Sequence, residues 1–266
     1  MKIGFIGGGT MAEGIIGAIL QAGDASADEI AVGEPVLERR QLLADGYRIQ
    51  VTADNRKAVA GADIVVFAVK PNQFPAAAAD LKGQLGSDQT VLSIMAGVTI
   101  AKLQAALDHK AVVRAMPNPP AQIGEGVCAW IATPQVGEDA RADIRRLLAA
   151  TGKEIAFDDE RFIDIATAVS GSGAGFVFLL IEAFIDGAVH LGLPRATATE
   201  MVVQTFLGSA RLAEQSGRTA AELRGLTTTP GGTTAEGLLV LEEAGLRAAV
   251  TEALIATYEK SKALGG

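Results

Sequence analysis

The sequence predicts an α/β protein. Residues 1–160 read as a doubly wound parallel sheet, and residues 161–266 as an all-helical second domain. Three observations carry this expectation. Short apolar runs alternate with amphipathic stretches up to about residue 160. A glycine turn lies between the first apolar run and the first amphipathic stretch. Beyond residue 160 the apolar segments lengthen and take helical spacing. Strand and helix in strict alternation is the pattern of a parallel sheet covered on both faces.

The strand candidates are residues 3–6, 30–32, 64–69, 91–94 and 112–115, apolar runs too continuous for a half-exposed strand. Helix candidates between them include 11–21, 37–44 and 75–85. In the second domain, 176–191 is apolar on most sides and so is much of 198–213, where Val203, Phe206, Leu207 and Ala210 share a face. Gly192-Leu193-Pro194 stops one helix and restarts the next. Helices apolar nearly all round must be buried nearly all round, which predicts a subunit interface.

Bulk properties restrict the partners. The chain is 49% hydrophobic with a formal net charge of −8, a mean hydropathy of +0.29 and an isoelectric point near 4.9. That balance disfavours nucleic acid and anionic membranes. The single cysteine, Cys128, allows no intrachain disulfide and no cysteine metal cluster; it falls in a strand-like run and reads as buried and inert. No metal is expected. The opening segment does not read as a signal peptide. The charge-free stretch 165–181 is short for a membrane span, and Ser170, Gly171, Ser172, Gly173 and Gly175 suggest a turn in its middle. The expected location is the cytoplasm.

The first run, Ile3-Gly4-Phe5-Ile6, enters Gly7-Gly8-Gly9-Thr10-Met11-Ala12 and then a helix-like segment. This is G-x-G-x-x-A in a strand–turn–helix setting, the dinucleotide fingerprint of a Rossmann-type domain. Gly7 suits the tight turn, Gly9 the approach of a pyrophosphate, and Ala12 close helix–strand packing. Glu34 closes the second strand, where a carboxylate bonds a ribose 2′-hydroxyl and favours NAD. Arg39 and Arg40 follow and read more readily as surface charges than as ligands of a 2′-phosphate. Ligands of such sheets lie at the carboxyl ends of the strands. Three of those ends have unusual chemistry: Ala68-Val69-Lys70-Pro71, Met95-Ala96-Gly97, and Met116-Pro117-Asn118-Pro119-Pro120.

The second domain has little acid–base equipment. Its only lysines are Lys260 and Lys262, its only histidine His190, its only tyrosine Tyr258. Glu182, Asp186 and His190 form an i, i+4, i+8 stripe that reads as a solvated face. Pro230-Gly231-Gly232-Thr233-Thr234 precedes apolar residues at helical spacing, so it predicts a turn delivering two threonines to a helix N-terminus. An ordinary threonine cap and an anion site for a substrate carboxylate are both open readings there. A hydride acceptor that is already cationic, such as an iminium carbon, would need only a hydroxyl at its nitrogen and N–H groups at its carboxylate.

Several segments together resemble the pyrroline-5-carboxylate reductase family along essentially the whole chain. They are Ile6-Gly7-Gly8-Gly9-Thr10-Met11-Ala12, Ala68-Val69-Lys70-Pro71, Val113-Arg114-Ala115-Met116-Pro117-Asn118, Ala168-Val169-Ser170-Gly171-Ser172-Gly173, Leu191-Gly192-Leu193-Pro194-Arg195 and Thr229-Pro230-Gly231-Gly232-Thr233-Thr234. The resemblance implies reduction of 1-pyrroline-5-carboxylate to L-proline, with NADP(H) favoured and NAD(H) admitted. It implies Thr234 at the substrate ring nitrogen and Gly231, Gly232 and Thr233 at the carboxylate. It places Asn55, Lys70 and Pro71 along the cofactor and Ala96 and Gly97 at its nicotinamide end, and the motif and strand-end reading adds Gly7, Gly9, Thr10, Met11, Ala12, Glu34, Ala68 and Val69. The resemblance implies a homodimer, assembling in many members to a decamer. Departures from the family pattern fall at Pro119, Ala174, Gly175, Phe176 and Thr227. They leave room for another cyclic imine carboxylate as substrate. A nucleotide-sensing relative without activity is the reading from a different class.

Overall fold

A computed structural model describes residues 1–265. The chain divides into two compact units, one of residues 1–172 with 257–266 and one of residues 173–256.

The first unit is built on an eight-stranded sheet. Its strands are β1 (Ile3–Ile6), β2 (Ile30–Gly33), β3 (Gln50–Thr52), β4 (Ile64–Phe67), β5 (Thr90–Ser93), β6 (Val112–Met116), β7 (Gly126–Ala132) and β8 (Gly152–Ala156), in spatial order β3-β2-β1-β4-β5-β6-β7-β8. The five strands expected from apolar runs are all present, and β1 to β6 pair in parallel. β7 runs antiparallel to β6, so the sheet is mostly rather than wholly parallel. The reversal is tight: a short 3-10 turn, Pro119–Ile123, follows β6, and the buried Asn118 accepts the Val127 N–H through Oδ1 at 2.8 Å.

Helices α1 (Thr10–Ala22), α2 (Leu37–Tyr47), α3 (Asn55–Val59), α4 (Phe74–Leu81), α5 (Ile100–Leu107) and α6 (Glu138–Ala149) cover the sheet. Alternation along β1 shows the two faces. Ile3 and Phe5 join a core with Ile15, Ile16, Val113, Trp130 and Leu147. Ile6 joins a second core with Phe67, Leu81, Leu103 and Leu107. α4 stops at Leu81, short of the expected residue 85, because Lys82 leaves helical angles and Gly83 follows at φ +70°.

The segment expected to turn near Ser170 is instead helical. α7 (Arg161–Ala166) passes through a widened π-helical stretch, Thr167–Ser172, into α8 (Gly173–His190). Thr167 and Ser170 hydroxyls donate to the carbonyls of Ile163 and Ala166 four residues back, the pattern that accompanies a bent or widened helix rather than a turn. The helix Arg161–His190 is therefore 30 residues long, and by length and composition it is long and apolar enough to cross a membrane.

The second unit is helical. It holds α8, α9 (Arg195–Gln215), α10 (Ala220–Thr227), α11 (Thr233–Glu243) and the first part of α12 (Leu246–Gly265). α8 ends at His190, Gly192 in the turn that follows sits at φ +104°, and Pro194 precedes the start of α9, as expected. α8 and α9 pack on each other, with Phe184 and Phe206 edge to face at 5.3 Å. Phe178, Leu179, Met201, Leu212, Val240 and Ile255 all lie exposed on this unit. Large apolar side chains exposed in this number on one small unit are unusual for a free surface.

Candidate active site

A cleft of about 630 Å³ opens at the carboxyl ends of β1, β2 and β4, where ligands of such sheets bind. Gly7, Gly9, Glu34, Asn55, Ala68, Val69 and Lys70 line it together. Gly7 takes φ +94°, and a Cβ there would lie 3.0 Å from the Val69 N and 2.9 Å from its Cγ1. Only glycine lets the turn pass this close to the end of β4. A Cβ on Gly9 would meet nothing, so that position faces open space at the start of α1. The residues fit a dinucleotide: a bare backbone beside a helix N-terminus suits the pyrophosphate, and a buried carboxylate, Glu34, stands at the end of the second strand.

Thr10, Met11 and Ala12 form the first turn of α1, with Ala12 fully buried against the sheet. Ala96 and Gly97 make the turn after β5, Gly97 at φ +73°, and Pro71 opens the short turn after β4. These six do not line the cleft itself. Asn55 begins α3, which Asp54 caps by accepting the Arg56 N–H at 3.1 Å. Sequence reasoning missed Pro35, Val36, Ala53, Gln73, Ala76 and Asp80 on the cleft wall. Val36 lies two residues past Glu34 and is half exposed, so an apolar residue just beyond the second strand was a readable signal. Asp80 carried none; it enters through α4, and Asn55 Nδ2 donates to it at 3.3 Å.

The glycine turn and the two arginines are bonded together. Glu34 is buried at the cleft edge; its carboxylate accepts the Gly8 N–H at 2.9 Å and the Val36 N–H at 3.0 Å. Arg39 and Arg40, expected at the surface, are half-buried instead. Arg39 Nε donates to the Gly8 carbonyl and Nη2 to Glu13 Oε2 at 2.6 Å. Arg40 Nη1 donates to the Glu34 and Pro35 carbonyls, both at 2.7 Å. Tyr47 OH donates to Glu13 Oε1 at 3.3 Å, and burial, with the Glu13 charge beside it, raises the phenol above its usual range.

In the helical unit the Pro230 turn is built as the sequence implied. Gly231 takes φ +70°, Gly232 caps α11, and a Cβ on Gly232 would collide with Thr229 Oγ1. Thr233 and Thr234 are the first two residues of α11 and exposed. No side chain caps this helix, which removes the ordinary threonine-cap reading. The Ala235 and Glu236 N–H groups both return to the Gly232 carbonyl. The Thr233 and Thr234 N–H groups have no backbone partner among the described residues, and an anion suits that end. Elsewhere in this unit Asp186 pairs with Arg195 at 2.8 Å, and Glu182, Asp186 and His190 lie exposed. Cys128 is buried, which pushes its thiol up to about 12 and leaves it no thiolate at neutral pH.

Comparison with known proteins gives the family. A reductase of Synechocystis sp., named pyrroline-5-carboxylate reductase, is 39% identical over 266 residues, covering 100% of this chain and 98% of its own. One of the same name from Pseudomonas aeruginosa is 40% identical over 264 residues, covering 99% and 96%. The chain belongs to the pyrroline-5-carboxylate reductase family. The family model described as pyrroline-5-carboxylate reductase dimerisation matches residues 160–264, and one described as NADP oxidoreductase, coenzyme F420-dependent, matches 2–97. Among solved structures, the pyrroline-5-carboxylate reductase of Coxiella burnetii superposes with a TM-score of 0.90 at 34% identity, covering 100% of this chain and 98% of its own. The Plasmodium falciparum pyrroline carboxylate reductase, solved with NADP bound, gives 0.92 at 30% identity, with the same coverage. Pyrroline-5-carboxylate reductases are NAD(P)-dependent oxidoreductases that catalyse the final step of proline biosynthesis. The match to the dimerisation model supports oligomer formation through the helical part of the chain.

Proposed function

We propose that this chain reduces 1-pyrroline-5-carboxylate to L-proline, with residues 1–160 holding the dinucleotide and residues 161–266 holding the imine and forming a homodimer. The observation that carries the reading is the start of α11, where a glycine turn leaves two N–H groups and two threonine hydroxyls open to a ligand. The turn Gly231-Gly232-Thr233 receives the substrate carboxylate on backbone N–H groups and the positive end of α11. The Thr234 hydroxyl bonds the ring nitrogen and fixes the angle of the imine. The dinucleotide supplies the hydride. Gly7, Gly9, Thr10, Met11 and Ala12 hold its pyrophosphate at α1, while Glu34 and Asn55 flank the adenosine end. Ala68, Val69, Lys70, Pro71, Ala96 and Gly97 flank the nicotinamide end. No general base is required, because an iminium carbon accepts hydride directly and positioning carries most of the rate.

The relative with NADP bound supports NADPH as donor, and Glu34 supports NADH. The exposed apolar side chains of α8 and α9 support burial against a second copy, and with it a protein rather than a lipid covering for the long apolar helix. Dimers assembling further to a decamer, and a cytoplasmic location, follow from the family resemblance. The deciding experiment is oxidation of NADH and NADPH by the purified protein with and without pyrroline-5-carboxylate. Oxidation that depends on the imine supports the reading. Dinucleotide binding with no imine-dependent oxidation would favour a sensing role.

A further inference from the structure

The dinucleotide reading of the cleft leaves the choice of nucleotide open, and the bonding around Glu34 bears on it. The Glu34 carboxylate is held at the cleft edge by two backbone N–H groups, Gly8 at 2.9 Å and Val36 at 3.0 Å. A carboxylate has about four acceptor positions, so two stay open for a ribose hydroxyl. A 2′-phosphate at the same place would meet a fixed negative charge. It would need a cation, and the two arginines nearby are otherwise engaged. Arg40 is folded back onto the Glu34 and Pro35 carbonyls, each at 2.7 Å. Arg39 is held by the Gly8 carbonyl and by Glu13, the latter at 2.6 Å. Glu13 is itself fixed by the Tyr47 hydroxyl.

The rest of the cleft offers no substitute. Among the described residues Lys70 is the only cation lining it, and it follows β4. Strand order β2-β1-β4 separates it from the Glu34 end by the whole width of β1. The other charged lining residue, Asp80, is a second carboxylate.

We infer that this cleft selects the dinucleotide with a free 2′-hydroxyl, NAD(H), over its 2′-phosphorylated form. In this arrangement Glu34 is the discriminating group, and Glu13 is a positioning residue that acts through Arg39. It keeps the guanidinium on the glycine turn and away from the ribose. The inference rests on the dinucleotide reading of the cleft and makes this chain differ from the Plasmodium falciparum relative solved with NADP.

Calorimetric titration of the purified protein with NAD⁺ and with NADP⁺, at one salt concentration, tests it without turnover. The expected result is NAD⁺ binding at least about tenfold tighter, a difference of about 1.4 kcal/mol. Glu34→Gln removes the charge and keeps the shape; it should narrow the ratio several-fold by tightening NADP⁺. Glu13→Gln weakens the hold on Arg39 and should narrow it as well, with NAD⁺ affinity unchanged, an outcome that a merely structural role for Glu13 would not give. NADP⁺ binding as tightly as NAD⁺ to the unmodified protein would overturn the selection and leave the dinucleotide reading standing. A ratio unmoved in a folded Glu34→Gln protein would overturn it too. If neither nucleotide bound, the reading of the cleft would fall with it.

Discussion

Arg114→Met is expected to cost the protein about 2 kcal/mol of stability, and the structure gives the sum. Arg114 lies on β6 and is 1% exposed. Its Nη1 bonds Glu160 at 2.9 Å and its Nη2 bonds Asp164 at 2.6 Å, which ties the sheet to the start of α7. Both carboxylates have second partners: Glu160 accepts the Ile100 N–H at 2.8 Å and Asp164 the Ser261 hydroxyl at 3.0 Å. Removing one member of a buried pair costs about 3–5 kcal/mol. Glu160 is nearly a third exposed, so solvent takes up part of its charge and the lower end applies. Arg114 Nε is buried without a partner, and methionine relieves about 1 kcal/mol of that burden. At about 2–4 °C per kcal/mol for a chain of this size the melting temperature should fall by roughly 4–8 °C. Calorimetry at fixed protomer concentration measures it, since oligomer stability depends on that concentration. A cycle with Asp164→Asn should show coupling of about 1 kcal/mol or more between the two positions. A fall of under 1 °C, or strict additivity, would refute the reasoning.

Gly7→Ala places a methyl group at φ +94° against Val69; it should weaken nucleotide binding at least about tenfold and lower the melting temperature, because alanine at positive φ is strained, and calorimetry on the variant checks both. Phe178→Asp changes a side chain that is 58% exposed on the helical unit; light scattering should then report a smaller species, and an unchanged mass at micromolar protein would move the interface elsewhere. Phe206→Asp is the contrasting variant: Phe206 packs edge to face on Phe184 within its own unit, so unfolding at lower temperature is expected from it.

How much of this could be read in the sequence depended on burial. β1, β2, β4, β5 and β6 lie in the middle of the sheet and are almost wholly buried, so they appear as unbroken apolar runs. β3 and β8 lie at its edges, and Gln50, Lys153 and Glu154 break the pattern there. The direction of β7 was not legible, because alternation does not say which way a strand runs; Asn118 reverses the chain by a bond no motif advertises. The serine and glycine residues around Ser170 read as a turn, yet the chain passes through them as a widened helical stretch with the hydroxyls bonded four residues back, which residue type alone does not show. The glycine turn, Glu34 and Lys70 were legible by type and position. Arg39 and Arg40 were not, since spacing does not show that their guanidinium groups bend back onto carbonyls. Thr233 and Thr234 were legible as a helix start, and only the structure showed that neither caps it.

In the proposed reaction Thr234 orients the imine. A lost bond to a charged partner is worth about 1.5–3 kcal/mol, which is roughly a ten- to hundred-fold change in rate. The direct measurement is kcat/KM for pyrroline-5-carboxylate in Thr234→Ala and Thr234→Ser, with nucleotide affinity and melting temperature determined on the same preparations. Alanine is expected to lower kcat/KM by roughly ten- to hundred-fold, serine to keep most of it, and nucleotide affinity to stay unchanged in both. Wild-type kcat/KM in a folded Thr234→Ala protein would contradict that role.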